Sequence, residues 1–126
     1  MKRNFLIAAS IFGGLSVGIG AIGAHALKEV LSEELLNSFE TGVRYQMYHA
    51  LLLLILSNFE KLQSKFIFYT IVIGILFFSF SIYLLSLRFA IGAEGLEVLG
   101  PITPLGGLLL ISAWVGILLK ALSLKR

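Results

Sequence analysis

The sequence predicts an all-α fold: an integral membrane four-helix bundle, with an amphipathic interfacial helix between helices 1 and 2. Three observations predict it. Hydrophobic residues make up 58% of the 126 residues and charged residues only 13%, against about 45–50% and about 25% in soluble domains. Such a chain lacks the polar side chains to cover its apolar surface, so it needs lipid as a solvent. The apolar residues are also gathered into four long runs, and the charges between the runs are sorted by sign. The length suits a single transmembrane domain, residues 1–126.

The runs cover about 5–27, 43–59, 66–87 and 102–119. Each is about 17–23 residues, enough to cross ~30 Å of hydrocarbon at 1.5 Å per residue. Helices are the natural spanning form, because lipid offers no partner to an unpaired backbone group. A β-barrel would need alternating strands of about 10 residues, and no such alternation appears. The first run follows Lys2 and Arg3 and ends near Ala24-His25-Ala26, which has the look of a leader with a cleavage site. Its apolar stretch of about 20 residues exceeds the usual 7–15 of a leader, so it reads as a span.

The first gap is patterned. Leu27, Val30, Leu31, Leu35, Phe39 and Val43 recur at three- and four-residue steps, with Lys28, Glu29, Glu33, Glu34, Asn37 and Glu40 between them. This predicts an amphipathic helix that starts after Ser32 as N-cap and runs into span two. Glu33 and Glu34 suit its first turn, and Glu40–Arg44 is a favourable i,i+4 pair. The apolar face is expected to lie on the outer leaflet. The third gap, 88–100, holds Gly92, Gly95 and Gly100 and reads as a turn with a short helical piece. Pro101 and Pro104 then sit where a helix begins, which proline tolerates because the first amides lack partners.

Seven of the ten bases fall at one set of ends: Lys2, Arg3, Lys61, Lys65, Lys120, Lys125 and Arg126. By the positive-inside rule these ends are cytoplasmic, which puts both termini inside the cell membrane. Six of the seven acids fall in the other two gaps. The net charge of +3 thus reads as topology and contact with anionic lipid, with no basic stripe for nucleic acid. The absence of cysteine excludes disulfides, thiolate nucleophiles and thiolate-held metals. No phosphate-binding loop, hydrolase elbow or paired carboxylates appear, so no catalytic residue, cofactor or metal is assigned.

Two groups of residues stand out. Ser10, Gly14, Gly18 and Ala21 share one face of span one, and Gly14/Gly18 form a GxxxG pair. Such a face lets another helix approach closely, within the bundle or in a homo-oligomer. His25 and His49, with Arg44, Tyr45, Gln46 and Tyr48, form a candidate polar or ligand cluster in the outer half of helices 1 and 2. Ionisable residues at membrane depth face a bundle interior or a wet cavity. The plainer reading is a hydrogen-bonded histidine pair that locks helices one and two. Two histidines without a nearby carboxylate or cysteine make a poor zinc set.

The segments Gly20-Ala21-Ile22-Gly23-Ala24-His25-Ala26-Leu27 and Phe39-Glu40-Thr41-Gly42-Val43-Arg44-Tyr45-Gln46-Met47-Tyr48-His49-Ala50-Leu51 resemble the family called domain of unknown function 423. Thr103-Pro104-Leu105-Gly106-Gly107 and Ala113-Trp114 are similar to it as well. That family includes small bacterial membrane proteins and the eukaryotic transmembrane protein 256 group. The resemblance implies a four-helix membrane protein and no settled activity. It brings forward His25, Arg44, Tyr45, Gln46, His49, Thr103 and Pro104. The expected function is structural or accessory, through helix packing with itself or a larger membrane partner. The alternative is binding or transport of a lipid or quinone-like amphiphile.

Overall fold

The computed structural model describes residues 1–125, and Arg126 lies outside the described residues. Its main helices are α1 (Lys2–His25), α2 (Glu33–Leu56), α3 (Lys65–Ile75), α4 (Ser81–Leu87) and α5 (Ile102–Ser123). A π-helical turn, Leu76–Phe80, joins α3 to α4 in one continuous rod. Short 3-10 turns lie at Glu60–Leu62 and Glu94–Leu99. Helix α1 packs chiefly on α2, α5 packs on α3 and the π turn, and α2 bridges the two pairs through α3 and α4.

Three stretches are long and apolar enough to cross a membrane: Lys2–His25, Lys65–Leu87 and Glu94–Ser123. The expected span at 43–59 falls on the second half of α2, which stops at Leu56, three residues short of the expected end, and Arg44, Gln46 and His49 dilute its apolar character. At 24 residues α2 matches α1 in length, about 36 Å at 1.5 Å per residue. The two run antiparallel, with Gly20 beside Val43 and Gly23 beside Phe39. Gln46 and His49 are buried in the bundle, the only economical place for such groups at membrane depth.

The expected interfacial helix is not a separate element. Ser32 does cap a helix, its Oγ accepting from the Leu35 N–H at 3.2 Å, but that helix is α2 itself, unbroken to Leu56. Its apolar stripe faces protein. Leu31 and Phe39 are buried with Tyr83, and Ile19, Leu35, Val43 and Leu87 pack around them. The residue that might have broken the helix, Gly42, is needed for contact: a Cβ there would stand 2.8 Å from the Tyr83 ring.

The opposite connection is short and tied down. Gln63 is buried and its amide donates to the carbonyls of Leu56 (2.9 Å) and Ser57 (3.1 Å) at the end of α2. Ser64 then caps α3 through the Ile67 N–H at 3.1 Å. At the other end Gly92 takes a positive φ of 68°, and the expected helical piece is the 3-10 turn.

The small-residue stripe of α1 is not the face that packs inside the bundle. Phe5, Ala9, Phe12, Ser16 and Gly23 are buried, whereas Ser10, Gly14, Gly18 and Ala21 are exposed. The large aromatic side chains take the interior and leave the GxxxG pair on the outside. The main core, with Phe5, Phe12, Leu53, Ile67, Ile71 and Ile75, lies toward the Lys61 end, and the Phe39–Tyr83 cluster lies toward the other.

Candidate functional site

A polar layer separates the two apolar clusters, and Gln46 is its centre. Its side chain is completely buried. Its Nε2 donates to the Phe12 carbonyl at 2.9 Å, and its Oε1 accepts from the Tyr83 hydroxyl at 2.7 Å. One amide therefore joins α1, α2 and α4. One turn earlier on α2, the Gly42 carbonyl accepts from the Ser79 hydroxyl at 2.7 Å, a link from the π turn to α2. Ser81 Oγ donates to the Phe77 and Phe78 carbonyls and lies 2.6 Å from Thr103 Oγ1 on α5. A π turn leaves carbonyls without their usual amide partners. The one Ser81 hydroxyl proton serves chiefly the Phe77 carbonyl, while the Phe78 carbonyl also accepts from the Ser81 N–H.

His49 holds α2 to α5. Its Nδ1 lies 2.8 Å from the Tyr45 carbonyl, and its Nε2 lies 3.3 Å from the Trp114 indole nitrogen. A carbonyl only accepts and an indole N–H only donates. Nδ1 therefore carries the proton, Nε2 accepts, and both ring nitrogens are satisfied within the chain. The expected lock between helices one and two is made by Gln46, and the histidine lock joins helices two and five.

The six residues expected to cluster point to three places. His25 is exposed in the last turn of α1. Gly13 packs near Ala50, so His49 lies level with the middle of α1, roughly 17 Å from His25 at 1.5 Å per residue. The polar site is thus at mid-bundle depth, not in the outer half. Arg44 is exposed, 3.9 Å from Glu40 and donating to Thr41 Oγ1 at 3.1 Å. Tyr45 and Tyr48 are exposed, their rings tilted together at 5.9 Å. Only Gln46 and His49 are buried. A cavity of about 320 Å³ opens beside His49, lined by Tyr45, Phe78, Gly107, Leu110, Ile111 and Trp114. Among the described residues no three His, Cys, Asp or Glu side chains gather closely enough to hold a metal ion.

The family described as "Protein of unknown function (DUF423)" matches residues 19–107, well over half of the chain. The chain belongs to the DUF423 family. Its relatives in that group are named membrane proteins. UPF0382 membrane protein SH2409 of Staphylococcus haemolyticus is 36% identical over 121 residues, covering 94% of each chain. UPF0382 membrane protein YwdK of Bacillus subtilis is 37% identical over 124 residues, 94% of this chain and 96% of that one. A UPF0382 membrane protein of Haemophilus influenzae is 32% identical over 120 residues, 93% and 92% of the two. No solved structure matches the chain. The DUF423 match spans Gln46, His49, Ser81, Tyr83 and Thr103, but stops before Trp114.

Sequence reasoning missed Tyr83 and Trp114 as partners in the layer, and the contact of Ser81 with Thr103. For Trp114 a signal was available. It is the chain's only tryptophan, deep in an apolar run, and an indole N–H away from water usually finds an acceptor. The sequence offers few acceptors at that depth, and His49 is one of them.

Proposed function

We propose that this DUF423 chain is a non-enzymatic accessory protein of the cell membrane that works by docking the outer face of α1 on a second copy of itself or on a helix of a larger partner. One observation carries this reading. Ser10, Gly14, Gly18 and Ala21 are all exposed on one side of α1, and a Cβ built at Gly14 or Gly18 meets nothing within 4 Å. Beside them runs a shallow groove between α1 and α2, about 170 Å³, lined by Gly13, Gly14, Met47, Ala50 and Leu54. Small residues exposed to lipid let a second helix approach closely, and close packing is what drives association between helices in a bilayer.

The amphiphile reading based on His25, Arg44, Tyr45, Gln46, Tyr48 and His49 finds less support. The side chains are dispersed, and the two buried ones spend their hydrogen bonds inside the chain.

Because the chain has no cysteine, single-cysteine variants report cleanly. Gly14→Cys in the native membrane is expected to crosslink to itself or to one protein far more than Leu108→Cys on the lipid-facing side of α5. Adding Gly18→Leu to Gly14→Cys should abolish the crosslink. Equal crosslinking from both faces would sink the reading.

Both termini are proposed to be cytoplasmic. Lys2, Arg3, Lys61, Lys65, Lys120 and Lys125 flank the same ends of antiparallel helices, and Leu124 lines a pocket with Lys61. An impermeant maleimide is expected to label Gly95→Cys on intact cells and Lys61→Cys only after lysis. The reverse labelling would invert the topology.

A further inference from the structure

At the end of the bundle away from Lys61, α4 closes on Arg88, and Arg88 borders a cavity of about 380 Å³. That volume lies in the usual range of ligand pockets, about 300–1,000 Å³. Its apolar walls are Leu35, Ile82, Leu85 and Pro104, and its polar lining is Ser38, Ser86, Thr103 and Arg88 itself. No carboxylate is among them.

The guanidinium is poorly satisfied as it stands. One terminal nitrogen donates to the Leu85 carbonyl, and the group lies 4.4 Å from the Phe89 ring centre. Nε is buried and has no hydrogen-bond partner. Among the described residues the one carboxylate ion pair is Arg44–Glu40, so Arg88 has no acid within bridging distance. Ser86 is 2% exposed and lines the cavity beside Arg88. Thr103 is already held by Ser81.

A charge at the edge of a bilayer without a counter-ion is costly. An arginine has five donors in a planar fork, which matches two oxygens of a phosphate or carboxylate. We propose that this cavity binds an anionic amphiphile. Its headgroup oxyanion sits on Arg88 with the Ser38 and Ser86 hydroxyls, and its alkyl chain runs along Leu35, Ile82 and Leu85. This site is separate from the outer face of α1.

The test uses the full chain in phosphatidylcholine nanodiscs with added phosphatidylglycerol, followed by native mass spectrometry of retained lipid. Wild type is expected to prefer phosphatidylglycerol by about tenfold, the scale of one charge-assisted contact. Arg88→Gln should bring the preference close to unity, and Arg88→Lys should keep part of it. Ser38→Leu, which leaves the guanidinium in place and narrows the cavity, should also abolish it, and decides the matter if Arg88→Gln does not fold. Equal retention of the two lipids by wild type, or an unchanged preference in Arg88→Gln or Ser38→Leu, would overturn the proposal. Displacement of the lipid by inorganic phosphate alone would overturn it as well, in favour of a free oxyanion.

Discussion

Gln46→Leu is expected to destabilise the bundle by about 1–2 kcal/mol, measured by unfolding in mixed micelles or bicelles. Leucine has similar bulk, so little cavity is created. The loss comes from hydrogen bonding. The Tyr83 hydroxyl, with its ring packed on Phe39 and Phe80, is left without its acceptor, and α1 loses the bond at Phe12. An unsatisfied buried polar group costs about 1–3 kcal/mol. Interhelical bonds in membranes are worth less than that, often about 0.6 and up to about 1.7 kcal/mol, because the unfolded helices also find partners. Tyr83→Phe tests the assignment. Alone it should cost about 1 kcal/mol, and with Gln46→Leu it should cost less than the sum, because the phenylalanine leaves no hydroxyl to orphan. Strict additivity would mean that the two side chains do not act through each other.

The same network shows which parts of this protein are readable in one dimension. Span lengths, the Ser32 cap, the Glu40–Arg44 pair and the proline start of α5 are local features. Each depends on residues within a turn or two, and the cap, the ion pair and the proline start appear in the structure where the sequence puts them, whereas only three stretches are long and apolar enough to cross a membrane. Membership of the DUF423 family was legible for a similar reason, since its motifs are contiguous. Rotation of α1 about its own axis was not. The Gly14–Gly18 face and the Phe5–Phe12 face lie side by side on one helix, and helix periodicity alone does not say which turns inward when lipid is as apolar as the core. In water the polar side would have faced out and settled it.

The candidate site was half legible for a further reason. Gln46 and His49 stood out because polar groups are costly in a span, and both are buried. Their neighbours Arg44, Tyr45 and Tyr48 were grouped with them by closeness in sequence, yet on a helix adjacent residues point about 100° apart. The true partners of His49 and Gln46 lie 65 and 37 residues away, at Trp114 and Tyr83. Nothing in a single sequence measures such distances.

Gly106→Ala should do still more damage than Gln46→Leu, and comparison with Gly18→Ala makes the argument sharp. A Cβ at Gly106 would stand 2.3 Å from the Phe78 nitrogen and 2.6 Å from the Phe77 carbonyl carbon. Those are backbone atoms of the π turn, so no rotamer change relieves the clash. The rod α3–α4 and helix α5 must move apart. That loosens the Ser81–Thr103 contact and the packing of Leu110 against Gly74. Overpacking of this kind costs about 1–3 kcal/mol where side chains can yield, and more where only backbone can. We expect about 3 kcal/mol or more, read as loss of folded protein in a denaturant series. At Gly18 the new methyl meets open space, and alanine is a better helix former than glycine by about 0.8–1 kcal/mol. Gly18→Ala should therefore leave the single chain as stable as before or slightly more so, while weakening any close contact made through the outer face of α1. If Gly106→Ala were tolerated like Gly18→Ala, the close approach of α5 to the π turn, on which the polar layer depends, would be wrong.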